Sequence, residues 1–101
     1  MNTIVLSDGG SVDLNDASSG ILIAGNATSS GITVTLNLIS GLAAGWQATI
    51  VQIGTGAGIT ISCNSLGGQS INGGASVTLS TQYNAVTLLC IDGSAFVAIG
   101  I

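Results

Sequence analysis

Groups able to carry acid–base, metal or covalent chemistry are scarce in this sequence. Asp8, Asp13, Asp16 and Asp92 are its only acidic residues, Cys63 and Cys90 its only cysteines, and its 101 residues include no Lys, Arg or His. Without histidine, neither a Ser-His-Asp nor a Cys-His arrangement can form, and without lysine there is no Schiff base. Two aspartates facing each other across a cleft are the one enzymatic option left, as an acid/base pair acting on glycosides. All four sit in turns or loops or at their edges, where Asp serves to hydrogen-bond the local backbone, and they read as turn residues against that alternative.

Other candidates weaken in the same way. Asp8, Asp13, Asn15 and Asp16 offer the oxygens that calcium prefers, but their spacing is not that of a twelve-residue calcium loop and no Glu closes it. Gly54-Thr55-Gly56-Ala57-Gly58 has the glycines of a phosphate loop, yet carries no lysine and leads into a β-prone run, which predicts a hairpin turn. Asn26-Ala27-Thr28 is a glycosylation sequon that matters only in a secreted chain. Cys90 is in phase with core positions and Cys63 ends a strand, so two buried thiols are expected, with a disulfide as the alternative. Trp46 and Tyr83 could stack on a sugar if exposed; their positions beside strands favour plugs over the end of a core. No catalytic residue, cofactor or metal is expected, and the chain is not expected to be an enzyme.

The elements that position these residues are short. Ile32-Thr33-Val34-Thr35-Leu36-Asn37-Leu38 alternates cleanly with period two, as a strand with one buried face does. Similar runs cover 3–7, 11–14 and 21–24, and then 46–53, 58–62, 75–80, 85–91 and 95–100. They are separated by Gly, Asn and Asp turns, among them Asn72-Gly73-Gly74 and Asp92-Gly93. Ser40-Gly41-Leu42-Ala43-Ala44, bracketed by Gly41 and Gly45, is expected to form a loop or a single 3₁₀ turn. The pattern predicts one all-β domain over 1–101: an antiparallel β-sandwich, jelly-roll-like, of eight to ten short strands with no substantial helix.

Composition bounds the partners. A chain without cations cannot release counterions from phosphates, so nucleic acid is not an expected partner, and an anionic membrane surface is disfavoured too. No apolar run approaches the roughly 18–20 residues of a spanning helix. The start lacks a basic n-region and a long apolar stretch, which predicts a complete, cytosolically made chain. With net charge −4, solubility owes little to ionic groups, which suits a surface covered by something else. The last two strands agree, being apolar on both faces: Leu89 and Ile91 oppose Val86, Leu88 and Cys90, while Val97, Ile99 and Ile101 oppose Phe96 and Ala98. Either loops lie over a thick core or another subunit covers the outer face. The residues expected at that oligomer or docking interface are Leu89, Ile91, Val97, Ile99 and Ile101, with Ile4, Val5 and Leu6 as a free edge.

Gly45-Trp46 followed by Thr49-Ile50-Val51-Gln52, then Gly56-Ala57-Gly58-Ile59-Thr60-Ile61, Gln82-Tyr83-Asn84-Ala85-Val86-Thr87-Leu88 and Phe96-Val97-Ala98-Ile99-Gly100, resemble a β-sandwich module of bacteriophage virion proteins. That module occurs in tail fibres, tail spikes and small head proteins. Ile32 to Leu36 fits it more loosely, and Phe96 stands where such modules often carry tryptophan. The resemblance implies a viral structural protein. Because the module stands here without a stalk, it implies a capsid decoration or cement protein located in the virion and assembled in the host cytoplasm. Its implied partners are itself, as a dimer or trimer, and the major capsid protein. The alternative is a tail-fibre-like receptor-binding module that recognises host glycans, for which Trp46 and Tyr83 would be the stacking residues.

Overall fold

The computed structural model describes residues 2–15, 18–37, 44–63, 68–91 and 95–100. Among these it has ten strands and no α-helix: β1 Thr3–Leu6, β2 Ser11–Leu14, β3 Ile21–Gly25, β4 Ile32–Leu36, β5 Gln47–Gln52, β6 Ile59–Cys63, β7 Ser70–Ile71, β8 Ser76–Leu79, β9 Ala85–Cys90 and β10 Ala95–Ile99. They form a six-stranded sheet in the order β1-β3-β5-β9-β10-β7 and a four-stranded sheet in the order β2-β4-β6-β8. The two sheets enclose one apolar core, as a β-sandwich does. The two-residue β7 went unread in the sequence because it runs straight into the Asn72-Gly73 turn.

Pairing direction departs from the antiparallel jelly-roll expectation. Five ladders are parallel and three antiparallel. The first six strands alternate between the sheets, so each strand lies beside the one two places earlier and runs in the same direction. The chain winds as three coils, and the return path of each coil is a strand of the opposite sheet instead of a helix. Antiparallel β8, β9 and β10 then close the far side. The physical reason for the misreading is that alternation reports only which face is buried, and here it is equally clean in parallel strands.

Winding in register stacks like upon like. Ile4, Ile23, Ile50 and Val86 form one inward row of the six-stranded sheet. Val12, Val34, Ile61 and Val77 form another in the four-stranded sheet. Phe96 and Trp46 fill the core beside these rows, their rings meeting edge to face at 5.9 Å and 82°.

The Gly54–Gly58 segment is an arch between the sheets and not the hairpin expected, since β5 and β6 belong to different sheets. A buried amide holds it. Gln52 Oε1 accepts from the N–H groups of Gly54 (2.9 Å) and Ala27 (3.2 Å). Its Nε2 donates to the carbonyls of Gly56 (3.1 Å) and Ala27 (3.3 Å). Every donor and acceptor of this fully buried side chain therefore has a partner, as burial of an amide demands. Gly54 is pressed against the Ala27 backbone, where an added Cβ would fall 2.2 Å from the Ala27 oxygen. The Asn72-Gly73 turn does behave as read. Both residues have positive φ (51° and 82°), and Ile71 and Gly74 exchange backbone hydrogen bonds of 2.8 and 2.9 Å, as in a type I′ hairpin.

Gly54→Ala must move backbone at this contact and is expected to cost about 1–3 kcal/mol in urea unfolding. Gly74→Ala, whose Cβ would meet only the Ile71 oxygen at an ordinary 3.7 Å, is the control and should cost much less.

Candidate functional site

The outer face of the six-stranded sheet mixes aliphatic side chains with Thr and Gln and, among the described residues, carries no charge. Register places Val5, Ala24, Val51 and Ala85 in one row across it. Thr3, Leu22, Thr49, Thr87 and Ile99 form the next row, and Gln47, Leu89 and Val97 a third. Val5 is 71% exposed, Ile99 53%, Ile91 48% and Val97 39%, while Leu89 is half-buried between its neighbours. Thr49 and Thr87 share one hydroxyl–hydroxyl hydrogen bond of 3.1 Å in the middle of the face.

The structure thus gathers Val5, Leu89, Val97 and Ile99 on one surface, with Ile91 just beyond the end of β9. Ile4 and Leu6 turn inward and pack, half-buried, against the core. Ile101 lies outside the described residues. Leu22, Ala24 and Val51 belong to the same face but were not singled out in the sequence. The signal was present, because Ile21-Leu22-Ile23-Ala24 is apolar at every position, as a strand covered on both faces would be.

The opposite outer face, on the four-stranded sheet, has different chemistry. Ser11, Thr33, Thr60 and Thr78 form one outward row, and Asp13, Thr35, Ser62 and Ser76 the other. Hydroxyls fill every position but the Asp13 carboxylate. Solvation of the molecule is thereby concentrated on one side.

The residues considered for chemistry are used structurally or stand apart. The Asp8 carboxylate accepts from the backbone N–H groups of Thr28 (2.8 Å), Ser29 (3.1 Å), Ser30 (3.0 Å) and Gly31 (3.1 Å), and from the Ser29 hydroxyl (3.0 Å). These bonds tie the turn after β1 to the loop before β4, clasping the first coil to the second. They hold the Asp8 carboxyl well below the usual carboxylate range, the Thr28 N–H contributing most. Asp13 lies on the hydroxyl face, and Asn15 is engaged with Ser18. Asp16 and Asp92, like the Ser40–Ala43 turn candidate, lie outside the described residues. No group of three or more metal-ligating side chains occurs among the described residues. Cys63 in β6 and Cys90 in β9 occupy different sheets and are not joined. The Cys63 thiol points at the Ala75 carbonyl, 3.4 Å away, and burial pushes its pKa up.

Trp46 is buried, its Nε1 donating to the Asn15 carbonyl at 3.2 Å, so it is a core plug and offers no stacking surface. Tyr83 corrects the expectation of a second plug. It stands 74% exposed in a turn with φ of 68°, because its N–H must reach the Gln52 carbonyl at 2.6 Å. Of the two aromatics considered for sugar stacking, only Tyr83 presents its ring to solvent. No protein-family model matches the chain, and no curated protein matches it either.

Asp8→Asn should lower the melting temperature at neutral pH. A carboxyl whose pKa is depressed in the folded state stabilises above the ordinary value of 3.8 and loses that contribution as pH falls below it. Thermal melts should accordingly show the gap between wild type and variant closing as the solution is acidified below about pH 4.

Proposed function

We propose that this chain is a non-catalytic structural protein that works by packing the outer face of its six-stranded sheet against a companion in an assembly. Within that reading it is a phage capsid decoration or cement protein, associating with itself and with the major capsid protein. The carrying observation is the sorting of the two outer faces, one rich in aliphatic side chains and uncharged among the described residues, the other lined with hydroxyls and one carboxylate. A protein meant to stay wholly solvated gains nothing from exposing Val5, Val97 and Ile99 together. The phage assignment is supported by the sequence resemblance around Gly45–Gly58 and Gln82–Gly100. Of the two residues named for the glycan-binding alternative, Trp46 is buried and Tyr83 is exposed, so that alternative now leans on Tyr83 alone.

Magnitudes bear on the mechanism. Strands about 4.8 Å apart, each rising about 3.3 Å per residue, give this face a flat area on the order of 400 Å². That is below the roughly 800 Å² per partner of a standard stable interface. One copy docking alone would hold weakly, whereas copies joined to one another and repeated on a lattice gain by avidity.

Two measurements test the proposal. Quantitative mass spectrometry of purified particles from the encoding phage should find the chain at a copy number comparable to that of the major capsid protein; a copy number comparable to a tail component would overturn the decoration role. The double variant Val97→Asp/Ile99→Asp should keep its fold, because both side chains point outward. It should nevertheless lose particle binding by about 2 kcal/mol or more, the scale of interface hot spots.

A further inference from the structure

Both sheets run out at the same flank of the molecule. Because the chain winds in coils, the first coil supplies the edge strand of each sheet, β1 of one and β2 of the other, and both are four residues long. This flank is unfinished. Ile4, Leu6 and Val12 are only half-buried there, whereas Ile23, Val34, Ile50 and Ile61 in the inner coils are wholly buried. The opposite flank is capped at the six-stranded sheet, while four-residue β8 is left there as the edge of the four-stranded sheet. The two-residue β7 ends in a tight turn, and Asn72 covers β10 by accepting from Ala98 N–H (3.0 Å) and donating its own N–H to Phe96 (2.9 Å).

Hydrogen bonding shows what the open edges offer. The N–H groups of Leu22 and Asn26 donate to the Asn2 and Leu6 carbonyls, so the even-numbered residues of β1 face β3. In a parallel ladder the alternate residues, Thr3 and Val5, then direct their backbone groups outward. Likewise Thr33 and Asn37 donate to Gly10 and Leu14, which leaves the Ser11 and Asp13 backbone facing out from β2. Edge strands are ordinarily blunted by Lys, Pro or a bulge. Neither edge here carries Lys or Pro, and Asp13 is the sole charge on the two.

We propose that two copies of this chain join edge to edge, β1 to β1 and β2 to β2, about a two-fold axis normal to the sheets. A single added peptide strand could complete only one edge. A partner that completes both must present two edge strands at the spacing of the same sandwich, and a second copy does. A two-fold axis in that direction makes both new pairs antiparallel and closes the assembly. The far flank, with its six-stranded sheet capped, offers only the β8 edge and no matching pair of open edges for head-to-tail growth. It also lays the two apolar faces side by side, doubling the docking area to the order of 800 Å² per dimer. The inference deepens the self-association part of the proposed function and does not depend on which particle receives the dimer.

Sedimentation velocity of the full chain, with far-UV circular dichroism to verify folding, tests it. Wild type should be a dimer at micromolar concentration. Ser11→Pro removes an edge N–H remote from the apolar face and should raise the dimer Kd by roughly tenfold or more. Val97→Asp/Ile99→Asp should leave the dimer intact even if particle binding is lost. Amide exchange supplies a readout that needs no proline: the Val5 and Asp13 N–H groups should be protected at dimer-forming concentration and exposed on dilution. A monomeric wild type, unprotected edge amides, or a dimer broken by Val97→Asp/Ile99→Asp but kept by Ser11→Pro would each overturn the proposal.

Discussion

The in-register stacking of aliphatic side chains between two sheets is the constraint from which everything else in this molecule follows. Ile4, Ile23, Ile50 and Val86 stand opposite the row of Val12, Val34, Ile61 and Val77, and each coil is held by repeating the position of the previous one. A slip of one residue in any coil would turn its aliphatic residues outward and bring threonine into the core. The faces are therefore as tightly determined as the core is. Whatever the inward row takes, the outward row is the complementary set of residues, and that set makes up the outer faces of the sheets.

Winding through alternate sheets moves the difficult chemistry into the arches. Parallel strands usually return by helices that satisfy their own backbone; these return by short loops that cannot. Gln52 and Asp8 supply the missing partners. The neutral amide serves where the arch is buried, since it can both donate and accept there without burying charge. The carboxylate serves nearer solvent, where several N–H groups converge and only acceptors are wanted. One of the chain's four acidic residues is thus spent on holding two coils together.

This division explains which features could be read from the sequence. Burial by face was legible wherever alternation was clean, as at Ile32–Leu36, and the two-faced character of Ala85–Cys90 and Ala95–Ile99 followed from the same rule. Direction of pairing was not legible, because parallel and antiparallel strands with one buried face carry the same period. The loops misled for a related reason. Gly54–Gly58 has the composition of a hairpin, but whether a glycine loop turns back or crosses over is set by where the next strand finds its partner. Nothing local marks Gln52 as the residue that fastens the arch, since its partners at Ala27 are 25 positions away. Tyr83 was misplaced because its exposure follows from a backbone bond to Gln52, a long-range contact, and not from its hydrophobicity.

The absence of basic residues then acquires a structural meaning beyond the partners it excludes. Edge strands and apolar faces are commonly kept soluble by lysine, which repels copies while contributing a flexible stem. Here that device is missing throughout, and hydroxyls, densest on the four-stranded sheet, do the solvating instead. Hydroxyls hydrate a surface without generating long-range repulsion, so they protect the side they occupy and do nothing to keep the other side apart. A β1 edge and a six-stranded face left without charge are consequently free to approach like surfaces at almost no electrostatic cost. The same composition that lacks cations for phosphates is the one on which the proposed docking against flat, neutral protein surfaces rests.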